Sequence, residues 1–190
     1  MESSLALLAG ADTRLAQLVD RLAVSDLAKP TPCVGWDVRA VLSHTLQSVE
    51  AFSSAVDGAG GPTESELFAG DDILGSDAAG VTKRIFERSH LAWSSIRDWD
   101  STLTTVLGPL PAGQAIAIIT FSTLVHSWDL AWALGERVEF TAAEATLAEA
   151  VGGRLVPAMR EKGLYGPELH APLQASATQR VVAFTGRSPV

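Results

Sequence analysis

Two histidines stand inside apolar helical sequence about eighty positions apart. His44 follows the segment Thr31-Pro32-Cys33-Val34-Gly35-Trp36-Asp37-Val38, and His126 lies within Val125-His126-Ser127-Trp128-Asp129-Leu130-Ala131. A buried imidazole left without a partner costs about 1–3 kcal/mol. Two imidazoles from different helices can share one partner, and a divalent metal ion is the economical candidate. Ligands of one ion have nitrogens within about 3–4 Å of each other, because each bond is about 2.0–2.1 Å long.

On a helical wheel His44 falls on the flank of its apolar stripe beside Val41 and Ser48, whereas His126 sits in a stretch with little polar face. The bland alternative is that both are core histidines bonded to a backbone carbonyl or a carboxylate. Metal sites in bundles often take two ligands from one helix at i and i+4. Four positions before His126 stands Ser122, whose neutral hydroxyl is a poor zinc ligand. Three positions after it stands Asp129, able either to ligate or to pair with a basic group such as Arg39.

The other candidates are bland. His90 and His170 read as surface residues, Cys33 as a small buried side chain near a helix start, and Trp36, Trp128 and Trp132 as packing residues whose indole N–H finds an acceptor. The chain has no glycine-rich phosphate loop, no Gly-x-Ser-x-Gly elbow and no paired zinc cysteines.

These residues need helices to hold them. Residues 4–23 carry leucines at three- and four-residue spacing. Asp37 is placed to cap a second helix that reaches about Val56, where Gly58 stops it. Residues 58–77 read as a long loop with one short turn at 64–68, and a third helix is expected over about 77–99. Gly108–Gly113 reads as a connection. The fourth helix, about 114–134, is apolar almost all round, which marks the most buried element, with Gly135 as its left-handed stop. Thr141 with Glu144 forms a capping box for a fifth helix over about 142–162. The tail from Gly163 is irregular, with 179–184 as a weak helix or strand.

Composition narrows the function. A net charge of −8 and the absence of a basic stripe argue against nucleic acid. The apolar run 115–134 has membrane-spanning length, but Asp129 within it would be expensive in lipid, so a buried bundle helix is expected and no membrane. One cysteine and an opening Met-Glu-Ser-Ser without a basic leader fit a cytoplasmic location. The 190 residues read as a single domain, 1–190.

The segment from Pro30 through Arg39 with His44 resembles the signature of the mycothiol-dependent maleylpyruvate isomerase N-terminal-like proteins, within the DinB/YfiT-like superfamily. The segment 125–131 is similar to that family's second signature, of the Val-His-Gly-Trp-Asp-Leu-Ala type. The ending 179–189 resembles the close of one subfamily. The resemblance implies an all-α, DinB-like four-helix bundle with an additional C-terminal helix and irregular tail. It also implies a divalent metal, zinc first among the candidates, with His44 and His126 as ligands. Ser122 stands where the middle ligand is usually glutamate, aspartate or histidine. Family members use the metal to activate the thiol of mycothiol for isomerisation or transfer onto a small-molecule substrate. The alternatives are a non-catalytic small-molecule-binding bundle that has lost the metal, and a regulatory or structural homodimer built on an exposed bundle face.

Overall fold

The computed structural model describes residues 3–189. Helix α1 spans Ser4–Val19, capped by the Ser3 hydroxyl, which accepts from the Ala6 N–H. The predicted helix to residue 23 stops short because Arg21 and Leu22 bond three residues back, to the Leu18 and Val19 carbonyls. That tightened turn leads into a 3-10 helix over Val24–Ala28. Helix α2, Val38–Asp57, begins where expected, with the Asp37 carboxylate accepting from Ala40 N–H, and ends at Gly58 with φ 70°. The turn in the following loop is a short capped helix α3, Glu64–Ala69.

Helix α4, Ala78–Ser94, is shorter than predicted. Ser95 turns its hydroxyl back onto the Ala92 carbonyl, and Asp98 then organises a turn by accepting from Asp100 N–H. Ile96 and Trp99 still pack on the core, but from loop rather than helix. The segment read as a connection is an antiparallel hairpin instead. Strand β1, Thr102–Thr105, pairs with β2, Gly108–Pro111, in the register Thr102 with Pro111 and Thr105 with Gly108. Four-residue strands, one of them holding two prolines, carry too little periodicity to announce a hairpin.

Helix α5, Ala112–Ala133, is the hub. α1 packs on α4 and α5, and α2 packs on the same two, so α1 and α2 lie diagonally across a four-helix bundle. α5 is long and apolar enough to cross a membrane, yet it is mostly buried among these partners. Its second side is covered by α6, Ala142–Glu161, which opens on the expected Thr141–Glu144 capping box, and α6 in turn packs on α7, Ala177–Phe184. Two apolar clusters result. The larger lies inside the bundle around Leu8, Leu42, Leu46 and Ile116. The smaller joins Phe121, Leu124 and Val125 to α6 and α7. The chain after Gly163 returns through α7, which lies against α6, and is closed by a tight crossing of Gly166 and Gly186.

Candidate functional site

α2 and α5 bring His44 and His126 together. Their ring centres are 5.3 Å apart and their planes nearly perpendicular, at 88°. Each ring is tied back through the same nitrogen. His44 Nδ1 donates to the Leu67 carbonyl at 2.6 Å, and His126 Nδ1 donates to Asp129 Oδ2 at 3.0 Å. A carbonyl oxygen only accepts, so His44 carries its proton on Nδ1 and keeps a lone pair on Nε2. Neither Nε2 has a hydrogen-bond partner among the described residues. Helix α3, which supplies Leu67, is thus the element that orients His44. Phe68 from the same helix and Trp36 from the preceding loop press on the His44 ring, at 5.6 and 4.7 Å between centres.

Both imidazoles line a cavity of about 650 Å³, the size of an ordinary small-molecule site. Its walls come from the Pro32–Trp36 loop, α2, α3, the turn of the hairpin at Val106 and Leu107, α5, α6 and the 163–167 and 185–187 segments. Ser48 and Ser122 add hydroxyls, Cys33 a thiol and Tyr165 a phenol, while Val34, Phe68 and Leu164 form an apolar and partly exposed rim. Among the described residues no Asp or Glu lines this cavity, and Arg187 is the one ionic side chain in its lining. Arg187 is buried and clasps Asp129 with both arms, Nε to Oδ1 at 2.7 Å and Nη2 to Oδ2 at 2.8 Å.

This corrects the pairing suggested by sequence. Arg39 bonds Asp72 at 2.7 Å and the Gly75 carbonyl, and the arginine on Asp129 is Arg187. His90 is also more than a surface residue, because its Nε2 lies 2.9 Å from the buried Asp12 carboxylate. His170 is exposed as expected. Trp128 packs, Trp36 lines the cavity, and Trp132 is 45% exposed; none of the three indoles makes a hydrogen bond among the described residues.

The electrostatics follow from burial. Desolvation, reinforced by the neighbouring His126, holds the His44 pKa down at about 3, and desolvation lowers that of His126 as well, so both rings are neutral at physiological pH. Burial pushes the Cys33 thiol up to about 11, with Arg187 only partly offsetting it. Burial alone would raise the Asp129 carboxyl, but Arg187 and His126 together outweigh it and keep the group ionised.

Two imidazoles bound through Nε2 to one tetrahedral ion have ring centres about 5 Å apart, given bonds of about 2.0–2.1 Å. The observed 5.3 Å fits that spacing. A carboxylate on Nδ1 of a ligating histidine is also the usual supporting arrangement. The third donor does not match as well: Ser122 brings a neutral hydroxyl into the same cavity, and no group of three His, Cys, Asp or Glu side chains suited to a metal occurs among the described residues.

Residues 8–131 match the model of the mycothiol maleylpyruvate isomerase N-terminal domain. The chain belongs to that family. The crystal structure of the mycothiol-dependent maleylpyruvate isomerase shares the fold, with a TM-score of 0.66 and 14% identity over 82% of this chain and 70% of the isomerase; a histidine-to-alanine mutant of that enzyme matches equally. Two relatives from Mycobacterium tuberculosis, the uncharacterized proteins Rv0738 (strain H37Rv) and MT0763 (strain CDC 1551), are each 24% identical over 94% of both chains. The all-α DinB-like bundle expected from the signatures is therefore borne out. The family match ends at residue 131, so Tyr165 and Arg187, neither of them a candidate site residue by sequence, come from outside it.

Proposed function

We propose that this family member is a cytoplasmic, thiol-handling isomerase or transferase in which His44 and His126 hold a divalent metal, zinc foremost, and in which mycothiol and a small-molecule substrate meet in the cavity. The observation that carries this reading is the pair of imidazoles with both Nδ1 atoms tied back and both Nε2 atoms left to one cavity. The chemistry supplied by a divalent ion there is to lower the pKa of a thiol and stabilise its thiolate.

The chain's own residues account for the rest. The Leu67 carbonyl and Asp129 fix the two tautomers, Trp36 and Phe68 pack on the His44 ring, and Ser122 offers a neutral oxygen in the same cavity. Among the described residues no acidic side chain lines the wall, and the charge of Arg187 is matched by Asp129, so a thiolate there meets no opposing carboxylate in the wall. Burial holds the Cys33 thiol protonated, so the thiol to be activated in this reading is that of mycothiol.

A second reading, a binding protein without a metal, is favoured by Ser122 alone. Metal analysis separates the two. Protein loaded with excess zinc and desalted is expected to retain about one ion per chain, and the His44→Ala variant to retain none. Complete loss of zinc from the unsubstituted protein would establish the binding-protein reading instead.

A further inference from the structure

Asp129 is the residue through which the tail reaches the site. It is fully buried on α5, and its Oδ2 accepts from two donors at once: His126 Nδ1 at 3.0 Å and Arg187 Nη2 at 2.8 Å. Its Oδ1 accepts from Arg187 Nε at 2.7 Å. A neutral imidazole has two tautomers of similar energy, and the hydrogen bond made by one nitrogen decides which nitrogen keeps the lone pair. For His126 that bond goes to a carboxylate on a side chain with two free torsions. The guanidinium removes this freedom, because two parallel N–H···O bonds from a rigid fork fix the plane of the acid.

Arg187 itself is held from three sides. Its Nη1 donates to the Thr185 carbonyl at 3.3 Å, the Tyr165 ring lies 6.0 Å from its central carbon, and Gly186 before it is locked against Gly166. We propose that Arg187 is a positioning residue for His126: acting through Asp129, it holds that imidazole in the Nδ1–H form with the Nε2 lone pair toward the cavity. The tail, which lies beyond the part of the chain matched by the family model, is then a working part of the site rather than a cover for α5.

The inference rests on the reading of His126 as a working imidazole, and its test is made first on metal-free protein so that the two fail separately. Nitrogen-15 NMR reports the tautomer of each histidine at pH 7.5 or thereabouts. The variant Arg187→Lys keeps a cation opposite Asp129 but loses the fork, and Arg187→Gln removes the charge. In the unsubstituted protein both His44 and His126 are expected as pure Nδ1–H forms. In Arg187→Lys, His126 is expected to become a mixture of tautomers while His44, held by the Leu67 carbonyl, stays unchanged.

Zinc affinity is expected to fall about 10–100-fold in parallel, the usual effect of losing an outer partner of a ligating histidine. The proposal is overturned if His126 remains a single Nδ1–H form in Arg187→Lys. It is equally overturned if His44 changes together with His126, since that would report a general loosening of the fold. Should Arg187→Gln not fold, the lysine variant decides alone. Should the unsubstituted protein retain no zinc, the tautomer comparison still stands.

Discussion

His44 and His126 face each other edge to plane at 5.3 Å, one from each of two helices that pack together in the bundle, and Ser122 sits one turn before His126 on the same wall of the cavity. If these three positions converge, a carboxylate at the third supplies the anionic donor that the chain lacks. Ser122→Glu is expected to tighten zinc by at least about tenfold, because three protein ligands then replace two. Competition with a chromophoric chelator measures it, and an unchanged affinity would mean that position 122 does not reach the ion.

How far this site was readable in the sequence depends on the distance over which each decision is made. Asp37, Gly58, Thr141 with Glu144, and Gly135 act within one helical turn, and all four do what their residue types require. The apolar circumference of α5 likewise requires burial, and with it the burial of His126. The partner of Asp129 was not readable, because Arg187 lies 58 positions away, in a tail that reads as irregular with only a weak helix or strand at 179–184. The role of α3 was hidden for the same reason: it is the Leu67 backbone carbonyl that holds His44, and any residue has one. A single arginine closing an otherwise apolar stretch, Val181-Val182-Ala183-Phe184-Thr185-Gly186-Arg187, was the one available signal of a buried cation.

The burial of Cys33 has a kinetic consequence. With its pKa near 11, only a small fraction of the thiol is thiolate at pH 8. Alkylation by iodoacetamide is expected to be on the order of a hundredfold slower than for a free cysteine. Denatured protein should react at the ordinary rate. Rapid modification of the native protein would reveal an activated thiol and reopen the question of its chemistry.

The contact between His90 and Asp12 predicts a pH dependence. The bond to Asp12 raises the His90 pKa, while burial is the main cause of the raised Asp12 value. A group whose pKa is higher in the folded state stabilises most when protonated. The His90 contribution is therefore complete below the ordinary histidine value of about 6.5 and fades as the pH rises through the folded value. Because His90 is half-exposed, the slope falls well short of the limiting ~1.4 kcal/mol per pH unit. Urea midpoints at pH 6 and pH 8.5 should differ more in the unsubstituted protein than in His90→Gln. Equal differences in the two proteins would exclude the pair as the source.

Arg187 and Asp129 should be costly to separate and cheap to replace together. Arg187→Met leaves a buried carboxylate without its cation and is expected to cost about 3–5 kcal/mol in chemical denaturation. Combining it with Asp129→Leu removes both charges, so the double variant should be more stable than the sum of the single losses allows. Additive losses would show that the two side chains are not energetically coupled, whatever their geometry.

Gly186 sets the position of Arg187 by two independent constraints. Its φ of +86° lies where side-chain-bearing residues are strained, and a Cβ there would come within 2.9 Å of the Gly166 backbone. Gly166 offers only main chain at that point, so nothing flexible can yield, and Gly186→Ala must push the two segments apart. The expected loss is about 1–3 kcal/mol from the backbone strain alone, with the contact adding to it. The displacement acts first on the next residue, Arg187, and through it on Asp129 and His126. Gly186→Ala should therefore reproduce the His126 tautomer mixture of Arg187→Lys without touching a polar group, while His44 keeps its single form. If the alanine variant is destabilised but His126 is unchanged, the tail serves the stability of the fold and not the alignment of the site.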